Sequence, residues 1–199
     1  MANANIPSGL SPVGYLNGSP WNGQVRRYYI PSSDTNAYAI GDPVTLAGSA
    51  DAKGVPSVVL WTAGSGMIGP VMGMGGPAFG GMSADPTNLN TTVIPATKTK
   101  DYYILVADDP NIIFDVQEIG MGTALDAAAV SLNANLVAGT NNGYISGALL
   151  TNDSEAVTVG LDVKLLGLSQ SVTPNAFGAY AKWRVKINNH LYAVGHVGV

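Results

Sequence analysis

The chain has 199 residues, which suits one large domain or two small ones and allows roughly 70% of the unfolded surface to be buried. Charged residues are 11% and hydrophobic ones 46%, with 25 Gly and 12 Pro; that balance excludes a disordered chain. The net charge of −4 without any Lys/Arg run argues against nucleic-acid binding, and the absence of cysteine excludes disulfides and thiol chemistry.

So few charges point to a surface that is partly covered in an obligate assembly, because obligate interfaces are depleted in charge. No stretch approaches 18 uninterrupted apolar residues, so no transmembrane helix is expected. The start, MANANIPSGLSPVG, has neither a basic n-region nor an apolar h-region, so no signal peptide is expected. These features predict a soluble protein made in a cytoplasm.

In chain order, residues 1–23 carry Pro7, Pro12 and Pro20 with almost no charge. They read as an extended N-terminal arm. Residues 24–199 read as a single β domain. QVRRYYI (24–30) is its first strand and holds Arg26 and Arg27. SSDTNAY is a turn or loop, and a short strand follows the Gly41-Asp42-Pro43 break. GVPSVVLWTAGSGMIGPVMGMGG supplies two β-rich runs around Gly64-Ser65-Gly66. Residues 73–88 read as a long irregular glycine-rich loop. Met72, Met74, Phe79 and Met82 in and beside it would fold back on the core or cover a partner.

Tyr102–Ala107 and Ile112–Glu118 have the strongest β character, being rich in β-branched and aromatic residues. Asp108, Asp109 and Pro110 lie between them. Adjacent residues on an extended chain point to opposite faces, which suits an acid/base pair poorly. Asp-Asp-Pro has strong turn chemistry, so a strand-to-strand corner is predicted. GTALDAAAVSLNANL allows one short helix or turn; GYISGALL and VTVGLDVKLLGLSQS return to β character. In YAKWRVKINNHLYAV the residues alternate. Lys182, Arg184 and Lys186 point one way, and Trp183, Val185 and Ile187 the other. Many short strands with at most a helical turn make an all-β barrel or sandwich, jelly-roll-like, with long irregular loops.

Candidate chemistry is sparse. His190 and His196 have strand-compatible spacing but no acidic third ligand nearby, so surface or interface histidines are expected rather than a metal site. Gly64, Gly66 and Gly69 match G-x-G-x-x-G in spacing alone, but Pro70 and Gly73 follow at once and no helix opens. A turn or bulge is expected there. There is no G-x-S-x-G nucleophile motif. The Lys182/Arg184/Lys186 stripe is either a solvated strand face or a contact for an acidic partner.

Three segments, YAIGDPVTLAGSADAKGVPSV, YYILVADDPNIIFDVQE and GAYAKWRVKINNH, together resemble small structural proteins of tailed bacteriophages that are regarded as head decoration or cement proteins. The resemblance spans residues 28–190; the N-terminal arm and MGMGGPAFGGMS lie outside it. It implies a non-enzymatic virion protein without cofactors. Such a protein sits on the outer surface of the capsid, over seams between major capsid protein subunits. Its expected partners are the major capsid protein and itself, as a homotrimer in preference to a dimer, with no nucleic acid and no membrane. Candidate capsid or oligomer contacts are Arg26, Arg27, Met72, Met74, Phe79, Met82, Lys182, Arg184 and Lys186. The alternatives are a receptor-binding or tail-fibre module, disfavoured by the absence of repeats, and a glycan hydrolase, disfavoured by scattered carboxylates.

Overall fold

The computed structural model describes residues 3–74, 93–171 and 174–193. The protein is all-β, as its alternating and β-branched segments predict. The first half gives β1 (Ser11–Tyr15), β2 (Arg26–Ile30), β3 (Tyr38–Ala39), β4 (Pro43–Ala50), β5 (Pro56–Leu60), β6 (Gly69–Met74), β7 (Val93–Ile94) and β8 (Tyr102–Val106). The second half gives β9 (Ile112–Gln117), β10 (Asn133–Ala134), β11 (Leu136–Val137), β12 (Leu149–Leu150), β13 (Val163–Leu168) and β14 (Lys182–Ile187).

Five strands close a barrel in the order β2-β5-β4-β6-β8. An odd number of strands cannot alternate in direction all the way round, so one neighbouring pair must be parallel. That pair is β2–β5, joined at the single register pair Tyr29–Ser57; the other seams are antiparallel. The inward side chains, among them Tyr28, Ile30, Val44, Val58, Val71, Ile104 and Val106, form one apolar core.

A five-stranded antiparallel sheet, β1-β9-β14-β13-β10, stands beside the barrel. Its inner face supplies Phe114, Val116, Val163, Leu165, Trp183, Val185 and Ile187 to a second core. Trp61, Met67 and Ala107 from the barrel half join that core, so the two layers share packing. Small ladders β3–β7 and β11–β12 complete the fold. Ala127–Ala129 form a 3-10 turn capped by Asp126, whose carboxylate accepts from the Ala128 N–H at 2.8 Å.

The structure corrects three expectations. The described part of the N-terminal segment, residues 3–23, is non-helical, but it does not form a free arm. Ser11–Tyr15 pair with β9, and Leu10 is buried in the second core. Composition marked the segment as non-helical; it carried no sign that β9 needed an edge partner. Secondly, the strand begun at Gly69 continues through Gly73 and Met74, where the loop was expected to start, because both pair with β8. Thirdly, residues 157–161 are loop, and β13 begins only at Val163.

Gly69 marks a close approach between β6 and the end of β8. Its φ is +141°, and a Cβ there would lie 2.0 Å from the Ala107 carbonyl oxygen. Only glycine fits such an approach of two backbones. This is the physical role of the last glycine in the G-x-G-x-x-G spacing.

Candidate contact surface

The Asp-Asp-Pro segment is a corner between layers: it carries the chain from β8 in the barrel to β9 in the sheet. Asp109 makes the turn. Its side chain accepts from the Asn111 N–H at 2.7 Å, and its carbonyl accepts from the Ile112 N–H at 3.1 Å. Asp108 faces the other way and is buried. Its Oδ2 accepts from the Tyr28 hydroxyl at 2.6 Å and lies 3.2 Å from Arg26 Nε. The Tyr192 hydroxyl is 3.0 Å from that of Tyr28. Burial, together with the bond to Asp108, raises the Tyr28 phenol above its ordinary range. The two carboxylates therefore diverge, and they do not converge on one bond as acid/base hydrolysis requires.

A cleft of about 520 Å³ lies against this corner, lined by Gln24, Arg26, Asp108, Asp109 and Tyr192 among others. Arg26 spans it, with its guanidinium 5.6 Å from the centre of the Tyr192 ring. Arg27, one residue on, stacks over Tyr103 at 5.4 Å on the other side of the strand. The two arginines are thus not one patch. Met72 packs partly against the sheet core and Met74 against the barrel core, while Phe79 and Met82 lie outside the described residues.

The outer face of the five-stranded sheet is different in character. Lys182, Arg184 and Lys186 alternate with buried Trp183, Val185 and Ile187, as the sequence predicts. Lys164 joins them from β13, directly opposite Lys186. Four of the nine Lys and Arg residues therefore share one sheet face. Like charges directly opposed across strands are destabilising. Asp115 lies on the same face, directly across from Arg184, and Gln117 lies across from Lys182; both are buried there, Gln117 beneath Asn5 and Ile6. Asp115 Oδ1 is 3.9 Å from Arg184 Nε, and Asp115 Oδ2 accepts from the Ser169 hydroxyl at 2.5 Å. Among the described residues Lys164, Lys182 and Lys186 form no ion pair; Lys164 Nζ donates to the Ser131 carbonyl at 3.2 Å.

Next to the β10 edge, Asp126 and Glu155 line one shallow cleft, and exposed Asp153 belongs to the same loop as Glu155. Large apolar side chains stand out on loops: Val157 is 84% exposed, Val159 83%, Met121 73% and Tyr144 64%.

The sequence did not disclose the buried acids. Glu118 accepts from the Leu125 N–H (2.8 Å), the Asn152 amide (3.3 Å) and the Trp183 indole N–H (2.9 Å). Asp162 accepts from the Leu136 N–H at 2.9 Å, and Asp42 from the Ala39 N–H at 2.7 Å. Burial raises all three above the usual carboxylate range, against the pull of these donors. The only available signal was an acid ending an apolar alternation, as in FDVQE. His190 is buried, with Nδ1 accepting from the Tyr192 N–H at 3.1 Å; His196 lies outside the described residues. Among the described residues no three His, Cys, Asp or Glu side chains are grouped to hold a metal. No family model, curated protein or solved structure matches the chain.

Proposed function

We propose that the chain is a non-enzymatic structural protein of a tailed-phage virion, bound to the outer face of the capsid and bridging major capsid protein subunits. The observation that carries this reading is the exposure of large apolar side chains on separate loops: Val157, Val159, Met121 and Tyr144 stand in solvent on a chain with only 11% charged residues. Such side chains are what a partner surface covers. The resemblance of residues 28–190 to head decoration proteins supports the capsid as the partner. Its three segments supply β4 and β8 of the barrel and β9 and β14, interior strands of the sheet.

A clamp that binds the assembled shell but not free subunits stabilises the shell by mass action, and multiple copies add avidity. The test is co-sedimentation with intact heads, followed by heating heads with and without the protein. Bound protein and delayed rupture are expected. No binding to heads, or equal rupture temperatures, would overturn the reading.

A further inference from the structure

We infer that the outer face of the five-stranded sheet is a docking surface for a second copy of this chain, which presents its acidic Asp126, Asp153 and Glu155 loops to it. The inference rests on the reading of the chain as an assembly protein and names how its copies join.

Lys164 and Lys186 face each other across β13 and β14, with Lys182 and Arg184 along the same face. A solvated sheet face gains nothing from directly opposed lysines, whereas an anionic partner surface turns that repulsion into attraction. The complementary charge is present on the same molecule: Asp126 and Glu155 share a cleft, and Asp153 is exposed beside them. Among the described residues no ion pair joins the two surfaces within one chain. Both flank the same sheet, since Lys164 bonds Ser131 and Leu132 lines the acidic cleft. Among the described residues the two surfaces adjoin without pairing inside one chain, so the contact is assigned to a second copy. A contact between two different patches runs head to tail, and it closes into a ring when the rotation permits.

Sedimentation velocity of the purified full chain, without heads, tests this. Association is expected at about 50 mM salt and its loss at about 500 mM, because surface charge pairs are screened. The pair Lys164→Glu/Lys186→Glu should weaken association at least about tenfold, and Asp153→Lys/Glu155→Lys likewise. An equimolar mixture of the two reversed variants should associate again. Lys186→Gln guards against misfolding: relieving one facing lysine should raise the thermal midpoint of the monomer while weakening association. A chain that stays monomeric at both salts, association indifferent to the reversals, or a mixture that stays apart overturns the proposal. So does loss of head binding by Lys186→Glu with self-association intact, which would give this face to the shell. Head binding is measured separately, so either reading can fail alone.

Discussion

Asp108 and Asp109 are adjacent in sequence and serve separate ends. Asp109→Asn keeps an acceptor for the Asn111 N–H and should lower stability by less than about 1 kcal/mol. Asp108→Ala removes the acceptor for a buried Tyr28 hydroxyl and should cost about 1–3 kcal/mol. Urea unfolding midpoints at unchanged slope measure both. Glu118, Asp162 and Asp42 set the pH response. An acid whose folded value is raised binds more protons folded than unfolded, between its ordinary and its raised value. Its contribution is fully present below the ordinary value and is lost as pH rises through the raised one. Mild acidification from neutrality should therefore raise the thermal midpoint. Asp34, Asp51 and Asp101 act in the opposite sense. Burial alone would raise Asp34, but Lys98 and Asn36 outweigh it; the Tyr103 hydroxyl lowers Asp51, and the Ser32 N–H lowers Asp101. Their stabilisation is lost as pH falls through their lowered values. Melting curves should thus show an optimum on the acid side of neutrality, and one that climbs steadily toward alkaline pH would refute the assignment. Glu118→Gln replaces one accepting oxygen by an amide N–H that must face at least one of these donors, so it should lower the midpoint and remove part of the acid-side rise.

Among the strands, β14 was the most legible, because Lys-Trp-Arg-Val-Lys-Ile alternates without a break and the buried set is Trp183, Val185 and Ile187. Trp183 fills the sheet core and also donates to Glu118. Trp183→Ala should cost about 3–5 kcal/mol. Red-shifted, fully quenchable Trp183 emission, with Trp21 and Trp61 replaced, would contradict the burial. β1 was illegible for a physical reason. SPVGY has Pro12 and Gly14 inside it, and an edge strand tolerates both because only one side of it needs hydrogen bonds. Leu10→Ala should therefore cost about 2–5 kcal/mol, although residues 1–23 look like a tail. Chemical denaturation decides it, and an unchanged midpoint would restore the free-arm reading. The two-residue ladders of β3, β7, β10, β11 and β12 lie below the length at which a period of two can be read.

At the scale of the molecule, composition and turn chemistry were enough to predict an all-β fold, but the pairing of distant segments was not. Nothing in Ser11–Tyr15 states that it joins β9 rather than the neighbouring β2. The cationic face was half legible: the β14 stripe could be read from alternation, whereas Lys164 entered it only through the register of β13. The parallel seam of the barrel carries a kinetic consequence. β2 and β5 meet at one register pair, whereas β2 and β8 share five. Closing that seam requires β4, β6 and β8 to be in place first, so its loop-closure entropy is met late in folding. Changes that weaken the β2–β5 pairing should speed unfolding and leave the folding rate nearly unchanged, whereas Ile104→Val on β8 should slow folding. In the native state the amides flanking Tyr29 and Ser57 should exchange with solvent through small openings, well before those of the β2–β8 ladder. The barrel would then breathe along one line, set by the parity of its strand count.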